Sequence, residues 1–189
     1  MFWGHNPIYS GPDGELGFGV KEALARKPVT IVVDPRETWL AKRADIWLQL
    51  RPGTDDALAL AMLNVIIGEE LEDKEFVEKW CHGFEDLAER VKVYTPEWAA
   101  PITWVTAEKI RKAARLFAEI KPSMMEWGCA IEHTPACFQT VRALLCLPSI
   151  TGNIDQPGSW SFGMLPLPPF PQLFDKMPMD QQKKRLGYD

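Results

Sequence analysis

Three short stretches of this 189-residue chain carry the residue types best suited to holding a ligand. Trp3-Gly4-His5-Asn6-Pro7, with Ser10 close behind, is dense in residues that supply positive or fixed φ and that cap helices. Asp34-Pro35-Arg36 sets an acid two positions before a base, and Gly53-Thr54-Asp55-Asp56 sets a glycine and a hydroxyl ahead of two acids. Carboxylates accept hydrogen bonds, arginine supplies a counter-charge, and glycine-rich backbone can offer its N–H groups to an anion. Each stretch also has a plainer explanation. Asp55 can be the acid that complements a helix dipole, Asp34-Pro35 a strand-ending turn, and Arg36 a solvated surface charge.

Other reactive residues point to less. Cys81, Cys129, Cys137 and Cys146 contain no CxxC pair and do not read as a zinc site; small buried thiols in a reducing compartment are the expectation. His5 sits in a loop whose backbone matters more than its imidazole, and His82 follows Cys81 at a helix end. Glu126, Glu132 and His133 are the right types for acid–base work, but they fall on both sides of one loop. No residue is assigned a catalytic or metal-ligating role. No GxGxxG or GxxxxGK[ST] occurs.

The surrounding pattern says what would position these loops. A helix is expected over 17–27, then a β-branched strand over 29–33 between Pro28 and Asp34-Pro35, and a second strand over 46–50. Thr54, Asp55 and Asp56 should cap and open a nearly all-apolar, hence central, helix over 57–67. Further helices are expected over 74–81, 84–93, 106–120 and 138–147, a turn at Thr95-Pro96, and a third strand over 124–128 running into Gly128-Cys129. The element that should precede the Trp3 loop is missing, as if the chain were cut from a longer one. Beyond Trp160, prolines at 166, 168, 169 and 171 and a polar end predict an extended arm.

Alternating elements of this kind make an α/β fold, a three-layer sandwich with a largely parallel sheet. In such sheets ligands bind at the carboxyl ends of the strands, where Asp34-Pro35-Arg36, Arg51-Pro52-Gly53-Thr54-Asp55 and Gly128-Cys129 all fall. Several loops at one edge suit a nucleotide-sized ligand. Composition closes other routes. With 46% hydrophobic and 25% charged residues, the chain is too apolar for disorder, and its length suits one domain. A net charge of -5 leaves no basic field for nucleic acid, and no apolar run is long enough to span a membrane. No signal peptide opens it, so a cytoplasmic chain is expected.

Four ordered motifs carry a family resemblance: Trp3-Gly4-His5-Asn6-Pro7 with Ser10; Ile31-Val32-Val33-Asp34-Pro35-Arg36 with Ala44-Asp45; Leu50-Arg51-Pro52-Gly53-Thr54-Asp55-Asp56; and Thr151-Gly152-Asn153-Ile154 with Pro157-Gly158. In words and spacing they resemble the molybdopterin oxidoreductases of the dimethyl sulfoxide reductase superfamily. The resemblance runs from Trp3 to about Gly163, so residues 1–163 are expected to be the domain and 164–189 the arm.

The resemblance implies one of two Rossmann-like domains that each hold a molybdopterin guanine dinucleotide, with molybdenum or tungsten placed between them. By position, Trp3, Gly4, His5, Asn6 and Ser10 match the loop that lines the diphosphate. Asp34, Pro35 and Arg36 match the loop around the guanosine sugar and base, and Gly53, Thr54 and Asp55 match the loop whose acid meets the guanine edge. Gly128 and Cys129 match a loop near the pterin, while His133 stands where many relatives have Gln. Guanine's adjacent N1–H and exocyclic amine suit one carboxylate, which would reject adenine.

It implies too that the metal ligand and an iron–sulfur cluster belong to the rest of a parent subunit, so no turnover is expected of this chain alone. Expected partners are the remaining domains and an electron-transfer subunit, with no nucleic acid and no membrane insertion. Two rivals remain open: a stand-alone nucleotide- or protein-binding module without catalysis, and a homodimer formed through surfaces meant for absent domains.

Overall fold

The computed structural model describes residues 1–10, 15–161 and 176–184. Its sheet has four strands, β1 (Phe2–Trp3), β2 (Ile31–Val33), β3 (Ile46–Leu48) and β4 (Glu126–Trp127), all parallel in the order β3-β2-β1-β4. The expectation that the strand before the Trp3 loop is missing is corrected here: Phe2–Trp3 pairs with β2 on one side and β4 on the other. Two residues are too few to show a period, which is why the strand was invisible in the sequence.

Helices cover both faces, α1 (Pro7–Ser10) and α2 (Glu15–Ala25) following β1. Between β3 and β4 run α3 (Asp55–Gly68), α4 (Lys74–Trp80), α5 (Phe84–Val91), α6 (Pro96–Thr103) and α7 (Ala107–Glu119). After β4 come α8 (Cys129–Glu132) and α9 (Cys137–Ile150).

Strand alternation sorts the core into two clusters. Trp3, Ile31, Val33, Ile46 and Leu48 point into the larger one, with Leu58, Met62 and Ile66 of α3, Ile110 and Phe117 of α7, and Leu144 and Leu147 of α9. Val32, Phe2 and Trp47 point the other way, onto Val20 and Leu24 of α2 and Leu40 and Ala41 of a 3₁₀ turn at Ala41–Arg43. The result is the expected three layers, with β2 buried on both faces and α3 as the central helix.

Three local differences have physical causes. The strand starts at Ile31, not 29: the Thr30 N–H turns to Asp45 Oδ2 at 2.7 Å, while the Thr30 carbonyl still accepts from Ile46 N of β3. Leu50 folds back on Leu48 through its N–H, so β3 ends early. Thr95-Pro96 opens a helix rather than a bare turn: Thr95 Oγ1 accepts from Trp98 N, and proline at the first helical position loses no hydrogen bond.

The loop after α9 braces the sheet. Asn153 Oδ1 accepts from Ser123 N at 2.8 Å, just ahead of β4. The prolines of the expected arm lie outside the described residues; within 176–184 a short helix, α10, spans Met179–Gln182. Among the described residues no helix is long and apolar enough to cross a membrane.

Candidate functional site

From β1 the chain moves outward through β2 to β3 and then returns to place β4 on the opposite flank of β1. The sheet therefore reverses its winding between β1 and β4, which is where open α/β sheets form a ligand crevice. The two carboxyl ends at this point are Gly4-His5-Asn6 and Gly128-Cys129.

They pack very closely. Gly4 has φ +58 and donates to Val33 O at 2.8 Å. A Cβ on Gly128 would lie 2.8 Å from Gly4 O and 3.2 Å from His5 Cδ2, so only glycine fits without moving backbone. His5 Nδ1 lies 3.0 Å from Glu126 Oε1, with both side chains mostly buried, but the pair is not aligned as a hydrogen bond. Nδ1 and the buried Asn6 Oδ1 have no aligned hydrogen-bond partner among the described residues. A buried polar atom left unpaired costs about 1–3 kcal/mol. An orphaned oxygen such as that of Asn6, at a switch point, is the mark of a missing partner.

The outer loops are built differently, because their polar groups are already engaged. Asp34 is buried; its Oδ1 accepts from Arg36 N at 2.8 Å and faces Arg36 Nε at 3.4 Å, while the rest of the guanidinium is exposed. Trp47 Nε1 donates to Asp34 O.

Thr54 was expected to cap α3, but its hydroxyl donates to Arg51 O at 2.7 Å and makes no cap bond. Asp55, also buried, accepts Trp3 Nε1 on Oδ1 at 2.8 Å, tying the start of α3 to β1. Burial pushes the Asp55 carboxyl above its usual range, against the pull of the Trp3 bond.

The remaining expected site residues lie at the rim. Gly53 is exposed with φ +79, and Pro35 is half-buried beside Arg36. Ser10 is exposed at the end of α1, joined to the crevice through its N–H on Asn6 O. Cys129 is exposed at the start of α8, and His133 is exposed at its end. Glu126, Glu132 and His133 do not converge: Glu126 faces His5, and Glu132 accepts from Trp127 Nε1. All four cysteines are free, and desolvation raises the thiols of Cys81 and Cys146. The Trp3–Asp55 bond and the Glu126–His5 contact were not foreseen, since partners so far apart in sequence leave no local signal.

An open parallel α/β domain whose loops gather at a switch point belongs to a ligand-binding class of fold. Within that class, this chain belongs to the molybdopterin oxidoreductase family, whose family model, described as "Molybdopterin oxidoreductase", matches residues 1–167. It is 42% identical over 172 residues to the acetylene hydratase of Syntrophotalea acetylenica, covering 89% of this chain and 23% of that protein. It is 39% identical over 155 residues to formate dehydrogenase H of Escherichia coli, covering 82% and 21%. A solved structure, acetylene hydratase from Pelobacter acetylenicus, superposes with a TM-score of 0.74 at 45% identity over 80% of this chain and 21% of that one. The chain thus spans less than a quarter of the length of these relatives.

The family implies a molybdopterin cofactor carrying molybdenum or tungsten in the whole protein. The residues present fit such a group: close packing of Gly4 against Gly128 keeps side chains out of the meeting point of the two loops, and the unpaired Asn6 Oδ1 offers the group a partner.

Proposed function

We propose that this chain grips the guanosine and diphosphate part of a molybdopterin guanine dinucleotide, as one domain of a molybdenum- or tungsten-dependent oxidoreductase subunit. The observation that carries the reading is the buried, unpartnered Asn6 Oδ1 at the switch point of the sheet. Residues 1–163 form the binding domain in this reading and 164–189 an arm laid on the rest of the subunit.

Trp3, Gly4, His5, Asn6 and Ser10 line the diphosphate. Asp34 meets the ribose hydroxyls, Pro35 lies beside it, and Arg36, most of whose guanidinium is exposed, supplies counter-charge. Gly53 lets the backbone come close, Thr54 sets the turn, and Asp55 accepts guanine's donor edge through a carboxylate that Trp3 holds in place. Gly128, Cys129 and His133 border the pterin.

When bound, the cofactor's metal supplies the redox chemistry, and this chain's part is grip and orientation. The metal's protein ligand, the iron–sulfur cluster and the electron-transfer partner belong to the rest of the assembly, and the chain alone turns nothing over.

Two-dimensional amide NMR of the labelled chain, titrated with GDP and separately with ADP, tests this directly. Selective shifts at Gly4–Asn6, Arg36 and Gly53–Asp55 with GDP alone are expected. A dispersed spectrum that neither nucleotide moves would sink the reading.

A further inference from the structure

The loops above provide an edge contact and counter-charge, but none of them offers a flat surface for a ring. Such a surface lies next to them. Beyond the carboxyl end of β3 is a cavity of about 330 Å³ lined by Pro35, Gln49, Pro52, Trp104, Thr106 and Lys109. Pro35 sits between Asp34 and Arg36, and Pro52 directly precedes Gly53, so this cavity is continuous with the proposed guanosine loops.

Trp104 is the unusual member. It ends α6 in the left-handed region, φ +64, where glycine would be less strained, and its side chain is 69% exposed. Thr103 and Val105 on either side are buried, and Trp104 N donates to Ala100 O at 3.0 Å, so the backbone that presents the indole is fixed.

The rim is cationic and rich in donors. Arg51 Cζ lies 5.7 Å from the centroid of the Trp104 ring. Lys109 Nζ spends one donor on Trp47 O at 3.4 Å, and Gln49 Nε2 donates to Pro35 O at 3.1 Å. A rigidly held indole, two prolines and two cations suit a planar heterocycle attached to phosphate.

We propose that Trp104 is the stacking platform for the guanine ring of the bound dinucleotide, with Pro35 and Pro52 as side walls and Arg51 and Lys109 at the rim. The proposal rests on the dinucleotide reading above and adds to it the residue that holds the face of the base.

The test compares wild type with Trp104→Gly, which suits the backbone angle and keeps the fold, and with Trp104→Phe, which keeps an aromatic face. GDP affinity is measured by titration calorimetry, inorganic pyrophosphate serves as a ligand without a base, and indole N–H signals are followed by NMR. Stacking on one aromatic ring supports an expected loss of about tenfold for GDP in Trp104→Gly. Affinity within about twofold of wild type is expected in Trp104→Phe, with pyrophosphate binding equal in all three proteins and the Trp104 indole signal moving with GDP. Undiminished GDP binding by Trp104→Gly overturns the platform while the dinucleotide reading stands. An equal loss for GDP and pyrophosphate also overturns it, because the residue would then act on the phosphates. No GDP binding by wild type overturns both.

Discussion

The inner and outer loops of the sheet edge look alike in sequence, each mixing glycine, proline and a short polar side chain, yet they differ in what their polar atoms do. At the switch point Asn6 Oδ1 is buried without a partner, and His5 Nδ1 faces Glu126 Oε1 at 3.0 Å without an aligned hydrogen bond. On the loops after β2 and β3, Asp34 is tied to Arg36, Thr54 to Arg51, and Asp55 to Trp3. The first region carries a cost in the free chain that a ligand can relieve. The second has been stabilised in advance, so its loops hold their shape before anything binds. A grip of this kind divides labour between a preset frame and an unsatisfied centre.

Breaking the frame should have the largest effect. Asp55→Ala leaves Trp3 Nε1 buried without an acceptor and is expected to lower stability by about 2–3 kcal/mol, read from the urea midpoint. Asp55→Asn separates the bond from the charge. Because burial raises the carboxyl above its ordinary value of 3.8, the wild-type contribution is fully present below that pH and is lost as pH rises through the folded-state value. The amide keeps an acceptor for Trp3 and cannot ionise. Asp55→Asn should therefore gain on wild type as pH rises from 3 to 7, and a constant difference across that range would show that desolvation does not govern this site.

Much of the frame was legible in the sequence. The apolar run after Thr54-Asp55-Asp56 marked α3 as central, and the β-branched residues before Asp34 marked β2. What was hidden depended on tertiary partners. Asp45 takes the Thr30 N–H at the strand's start, and β1 is too short to show a period. Thr54, read as a cap, turns to Arg51 O, because the local preference for capping lost to a closer carbonyl. At the site, residue types and order identified the loops, while their internal pairing did not follow: Asp55 and Trp3 meet only because α3 packs beneath β1. Nothing local marks Trp104, because its place beside the cavity depends on which loops α6 ends next to.

Relieving the centre should have a smaller effect and the opposite sign. Asn6→Leu replaces a half-buried side chain whose Oδ1 is buried and unpaired by an apolar one of similar size, and a gain of about 1 kcal/mol in the free chain is expected, together with weaker GDP binding. Thermal unfolding and a GDP titration of the same variant read the two effects side by side. Loss of stability with binding intact would place Asn6 in the frame and erase the contrast between the two regions.

The smallest stability effect falls where the two regions meet. Arg36 touches Asp34 through Nε at 3.4 Å, but its side chain is 74% exposed, so this ion pair is screened and Arg36→Ala should cost less than about 1 kcal/mol. Its backbone N–H, which holds Asp34 Oδ1, survives the change. The frame should therefore persist while the counter-charge for the ligand disappears. Measured at low and at high salt, GDP affinity should fall on substitution mainly at low salt, where the lost charge is least screened. Unfolding comparable to that of Asp55→Ala would instead make Arg36 part of the frame. An affinity loss independent of salt would mean that Arg36 holds the ligand by shape and hydrogen bonding rather than by charge.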